Sequence, residues 1–239
     1  MNNSEYRPGF LSLFLNIKLS KFSYLLISLI LLLIIYPVFE GDQSRLEFFF
    51  LIIVIIQVAG IYAISYSRTD FIIGTVLGLL WLISSLAFWF FPMRIDFALS
   101  IFFGVLFLIF TTLIILYHVL QGQKVTVDTL FGAICVFILI GIIWSGIFFL
   151  INTLVPGSFL VSEAYNYQDS EIKWSTLLFY SYSTYTPMSN SAIYPATAYA
   201  ESAAAFEAIF GHLYVVMLVA RLVGLYIINF RGDSGESTD

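Results

Sequence analysis

The chain alternates long apolar runs with short polar breaks. Runs at residues 22–39, 46–65, 71–91, 97–120, 130–155 and 203–230 are each long enough to cross about 30 Å of hydrocarbon as a helix. The breaks hold the punctuation: Glu40, Gly41 and Asp42; Ser67, Arg68, Thr69 and Asp70; Pro92 to Asp96; Gln121 to Asp128. This pattern predicts six membrane-spanning helices and no soluble domain. The first run reads as a retained span, because its apolar core is too long for a signal peptide and Tyr36, Pro37, Val38 and Phe39 offer no small-x-small cleavage site. Ahead of it, Phe10, Phe14, Ile17 and Phe22 recur at near-helical spacing among Lys18 and Lys21, which suits an interfacial helix.

Composition agrees with the pattern and narrows it. Hydrophobic residues make up 60% of the 239 and charged residues 10%, against about 25% charged in soluble domains. Mean hydropathy is +0.96. A net charge of −5 argues against nucleic acid as a partner, since no basic face can be built. The single cysteine, Cys135, excludes an internal disulfide framework.

Charge distribution sets an expected orientation. With the N-terminus inside, the inner segments hold Arg7, Lys18, Lys21, Arg68, Lys124, Arg221 and Arg231, and the outer segments only Arg45, Arg94 and Lys173. Both termini are therefore expected in the cytoplasm, and a bacterial plasma membrane is the expected location. The outer side then collects Glu40, Asp42, Asp96, Glu163, Asp169 and Glu171. Such a surface either concentrates cations or is simply solvated.

Between the fifth and sixth runs lies a stretch of a different kind. Residues 173–186 are too few to span as a helix and too apolar for a free outer loop; Pro187 to Pro195 follow. A half-length helix entering the membrane, with an irregular return, satisfies both facts. Non-helical backbone at that depth is tolerated only inside protein or against water. The expectation is a re-entrant pore loop, whose usual purpose is conduction.

The residues here resemble those of potassium channels. Phe179 to Thr197 runs without gaps alongside that family's pore helix and filter, with Ser181, Thr184, Thr186, Pro195 and Thr197 coinciding. Glu201 to Tyr226 looks like the inner helix of bacterial six-span potassium-channel-like proteins, and Phe131 to Gly141 with Pro156 to Phe159 resembles their outer helix. The likeness covers about the last 110 residues; the first four runs match only as hydrophobic helices. It implies a homotetramer around a central pore, in contact with membrane lipid, with a permeant monovalent cation and no cofactor. It also implies a division into residues 1–21 (cytoplasmic or interfacial), 22–120 (a peripheral four-helix domain), 129–230 (the pore domain) and 231–239 (a disordered tail).

The filter departs from the family. Where the pattern reads T-V-G-Y-G-D, this chain has Pro187, Met188, Ser189, Asn190, Ser191 and Ala192. Both glycines are gone, and with them the backbone freedom that turns successive carbonyls to one axis. Pro187 replaces a threonine hydroxyl, has no N–H and biases Thr186 away from helix. A wider mouth lined by Ser189, Asn190 and Ser191, with weak or no preference for potassium, is expected. The competing expectation is a scaffold or regulatory partner that no longer conducts.

Other features carry less. Residues 97–120 contain neither Arg nor Lys, so no voltage sensor is expected in the fourth span. Glu207 and Arg221 are charged residues in the last span; Glu207 is placed to brace the pore helix with Ser181 and Thr184. Arg221 is placed to ring the inner mouth or hold lipid phosphate, with snorkelling as its plain alternative. Gly211 and Gly224 are candidate gating hinges, although close helix packing is the commoner reason for such glycines. Gly74 and Gly78 form a GxxxG pattern that suits helix packing. His118 and His212 have no ligand partners at metal spacing; His212 as a pH sensor is weaker than a packed or water-facing histidine. Gly232, Asp233, Ser234 and Gly235 echo a protease motif with no domain to support it. No enzyme is expected. A solute transporter is disfavoured, since no inverted repeat is visible.

The reading is thus an all-α membrane protein of six spans, with a re-entrant pore helix and filter loop between the fifth and sixth.

Overall fold

A computed structural model describes residues 21–39, 46–90, 94–122, 126–162, 172–186, 188 and 192–235. In chain order these form α1 (Lys21–Phe39), α2 (Leu46–Ala63), α3 (Arg68–Phe90), α4 (Arg94–Gln121), α5 (Val127–Leu154), β1 (Phe159–Val161), α6 (Trp174–Tyr185), β2 (Ile193–Pro195) and α7 (Ala198–Gly235). The interfacial segment expected before residue 21 and the acidic connection at 163–171 lie outside the described residues. So do Pro187, Ser189, Asn190 and Ser191.

Among the described residues, four helices are long and apolar enough to cross a membrane, over Arg68–Ala87, Phe97–Gln121, Val127–Leu154 and Ala198–Arg221. Helices α1 and α2 are also apolar, at 19 and 18 residues. The outward surface of α3 suits an apolar solvent: Phe71, Ile72, Val76, Leu79, Leu80 and Ile83 are all exposed, an arrangement that water penalises and hydrocarbon does not. The protein is a mostly helical, membrane-embedded chain.

Helix α4 packs along α3 on one side and α5 on the other, while α1 lies against α2 and α5. The main core therefore centres on α1, α4 and α5, with Leu25, Leu29, Phe107, Ile115, Val136 and Leu139 almost fully buried. Glycines let helices approach. A side chain at Gly78 would press on Ile61 and Phe107, and one at Gly104 would strike the Trp81 indole.

At the end of the bundle near the α2–α3 turn, Lys21 donates to the Ser65 carbonyl at 2.9 Å. Its ammonium stands 4.2 Å from the Tyr66 ring centroid, and the His118 ring stacks on the same centroid at 4.1 Å. Both groups thus pack on the tyrosine ring. Partial burial, with the Asp128 carboxylate adding, raises the Tyr66 phenol above its ordinary value. His118 is thus a packed histidine.

A second, smaller core sits under a feature the apolar pattern does not announce. Strands β1 and β2 pair antiparallel, with Phe159 opposite Pro195 and Val161 opposite Ile193. The turn into β1 passes through Gly157 at φ +82, a left-handed angle that favours glycine. Beneath the pair, Phe148, Phe159 and Tyr180 form a triangle with ring centroids 5.1, 5.4 and 5.5 Å apart.

The last helix differs from expectation at both ends. It begins at Ala198 rather than 203, with the Thr197 hydroxyl accepting from the Ala200 amide at 3.4 Å. At its far end it continues through Gly235, past the limit expected at residue 230, so residues 231–235 of the supposed disordered tail are helical. Once a helix is nucleated, each further residue adds a hydrogen bond at little entropic expense; Gly232 alone does not stop it.

Candidate functional site: the α5–α6–α7 module

Helix α6 is short because both of its ends are fixed by backbone chemistry. Lys173 enters with extended backbone and Thr186 leaves at φ −99, ψ 160. Pro187 follows, and a proline disfavours helix in the residue before it. Twelve residues give a rod of about 18 Å. It lies between α5 and α7 and contacts both.

The segment around α6 leaves the β pair and comes back to it. The Ser162 amide donates to the Ala192 carbonyl at 2.7 Å, and the Ala196 amide to the Ser158 carbonyl at 2.8 Å. Thr197 reaches across to the Ser158 hydroxyl at 3.2 Å. Both ends of the α6 segment are therefore clamped at one level, between the C-terminus of α5 and the N-terminus of α7.

At the centre of the module stands Ser181. Its hydroxyl lies 2.9 Å from the Gly141 carbonyl of α5 and 2.5 Å from Glu207 Oε1 of α7. One hydroxyl thus touches all three helices. Glu207 is fully buried at 0% exposure, and its Oε2 is buried with no hydrogen-bond partner. The Thr184 hydroxyl also faces this carboxyl and donates to the Tyr180 carbonyl at 2.9 Å.

Four residues that the sequence reading did not single out complete the joint. Tyr182 donates to the Ile138 carbonyl at 2.9 Å, Tyr185 to Phe137 at 3.0 Å, and Tyr214 to Ala133 at 2.7 Å. With Gly141, the acceptors fall at 133, 137, 138 and 141, one face of α5. Helix carbonyls keep a second lone pair after their own ladder bond, and phenols use it here. Gly141 is required by the same joint, because a Cβ there would overlap the Tyr182 ring. The alternation of Tyr180, Tyr182 and Tyr185 with hydroxyl residues was the available signal.

The remaining expected residues fall into separate places. Gly211 abuts the Tyr185 side chain so closely that an added Cβ would collide with it, whereas Gly224 faces open space. Arg221 donates from Nη2 to the Gly122 carbonyl at 2.8 Å, tying α7 to the end of α4; its Nη1 is buried without a partner. Of the six filter positions, Met188 is exposed and Ala192 is buried; the other four lie outside the described residues. Cys135 is a buried free thiol. Searches against protein-family models, curated proteins and solved structures returned no match.

Proposed function

We propose that this chain is a pore-loop membrane protein of the potassium-channel kind, in which α5, α6 and α7 are outer helix, re-entrant pore helix and inner helix. The observation that carries the reading is the clamp. A helix too short to span, tied by Ser181 to both flanking helices, departs from β1 and returns to β2 on the same side. Lipid cannot satisfy the returning backbone, so that segment needs protein or water around it. One pore loop per chain requires several copies, and four-fold assembly follows from the likeness in residues 179–197.

In this reading α1 and α2 also span, giving six crossings with both termini cytoplasmic, and the peripheral helices form a collar without voltage-sensing arginines. Residues from Thr186 up to the buried Ala192 are assigned to the mouth. Without glycines the filter cannot present stacked carbonyl rings, so monovalent cations pass with weak or no potassium preference.

Purified protein in planar bilayers under asymmetric KCl and NaCl tests this directly. Currents should reverse well away from the potassium Nernst potential. Reversal at that potential would overturn the altered filter. Silence in every salt, with a four-fold assembly intact, would replace conduction by a scaffolding or regulatory role.

A further inference from the structure

Helix α7 is unevenly covered. Its buried side is a seam, Ala200, Ala204, Glu207 and Gly211, at spacings of four, three and four, which half-buried Tyr214 and Leu218 continue. Much of the rest is uncovered. One exposed line carries Phe206, Phe210, Leu213 and Met217, large apolar groups that suit lipid or a neighbouring helix. Ile209 and Val216 are exposed as well. A further line carries Glu201, Ala205, half-buried Ala208, His212, Val215 and Val219, again at alternating spacings of four and three. It places an exposed histidine near the middle of the span Ala198–Arg221.

A histidine at that depth does not face hydrocarbon without a large penalty; such residues face a bundle interior or water. The contrast with α3 is direct, since its outward residues from Phe71 to Leu86 are all apolar. The ring orientation is compatible with ligation. Nδ1 lies 2.9 Å from the Ala208 carbonyl, as Nδ1 of His118 does from the Ile114 carbonyl. A carbonyl only accepts, so Nδ1 is the donor, and in a neutral ring Nε2 is then the ligating nitrogen. Metal-binding histidines are commonly oriented by this kind of backbone bond. Within one chain, no three His, Cys, Asp or Glu residues come together among the described residues. In the tetrameric reading, other copies supply the further ligands.

We infer that the His212 side chains of assembled copies face the central axis and together form a site for a late first-row divalent cation such as Ni2+ or Zn2+, for which imidazole is a suitable ligand. The inference rests on the tetrameric pore reading, and in a conducting assembly the bound cation would block the path.

Equilibrium dialysis of Ni2+ against untagged protein in lipid vesicles tests it independently of current. The wild type should retain Ni2+ at fewer ions than chains. Retention should be lost in His212→Ala and kept in His118→Ala, whose ring is already packed on Tyr66. No retention, retention unchanged by His212→Ala, or one ion per chain would each overturn the site. A second measurement guards against misfolding of the alanine variant. In a Cys135→Ala background, His212→Cys should react with a charged, membrane-impermeant thiosulfonate and Phe210→Cys should not; an unreactive cysteine at 212 would also overturn the site. Retained Ni2+ in a protein that passes no current sinks conduction alone. Current with no His212-dependent retention sinks the metal site alone.

Discussion

The peripheral helices and the α5–α7 module differ in how many hydroxyl groups reach across to another helix. In α1, α3 and α4 Ser28 folds back onto the Leu25 carbonyl, Thr75 onto Phe71, Ser84 onto Trp81 and Thr112 onto Leu108. Ser85 and Ser100, 2.8 Å apart, meet across α3 and α4. In the module Ser145, Thr153, Ser183 and Thr184 also fold back, but the hydroxyls of Ser181, Tyr182, Tyr185 and Tyr214 cross from one helix to another. Self-bonded hydroxyls satisfy themselves wherever the helix sits. Crossing hydroxyls are satisfied only at one register and one depth. The peripheral helices are thus fitted mainly by shape, and the module is fixed by direction as well.

Matched substitutions can break that contrast. The largest difference is expected between two Gly→Ala changes. Gly141→Ala drives a methyl into the Tyr182 ring and should destabilise by about 1–3 kcal/mol. Gly74→Ala overlaps only the terminal Cδ1 of Ile64, with Ile64 Cγ1 and Phe110 at ordinary contact distance, and should cost less than Gly141→Ala, by about 1 kcal/mol or more. Unfolding in SDS–lipid micelles measures both; equal losses would remove the distinction between regions.

Next comes Ser181→Ala, which removes the hydroxyl shared by the Gly141 carbonyl and Glu207 Oε1 and should lose about 1–3 kcal/mol. Ser28→Ala, whose hydroxyl serves only its own helix, is the matched control and should change stability little. Tyr214→Phe removes one crossing bond without a change of shape. The same unfolding titration should give about 0.6 kcal/mol, with about 1.7 as a ceiling. Smallest of all, Gly224→Ala enters open space and should leave unfolding unaltered. A marked loss of current with unchanged stability would instead reveal motion at that glycine.

Much of the fold was legible along the chain because apolar length is a local property. Residues 71–91 and 97–120 announce α3 and α4 without reference to any other part. The end of α6 was legible for a similar reason: Pro187 restricts Thr186 through a covalent neighbour. The β1–β2 clamp was not, since Phe159–Val161 and Ile193–Pro195 are three residues each and neither has a pattern without its partner. The tyrosine joints were hidden too. Their acceptors are backbone carbonyls of α5, which every sequence supplies and none advertises.

The sequence by itself determined that this chain lives in lipid and where its long helices run. Only the tertiary structure decided that Ser181 joins three helices, that Gly141 and Gly211 are spaces for tyrosines, and that α7 turns His212 outward. Hydrophobicity is additive along a chain and can be read residue by residue. A shared hydroxyl or an uncovered helix face exists only after the other helices have taken their places.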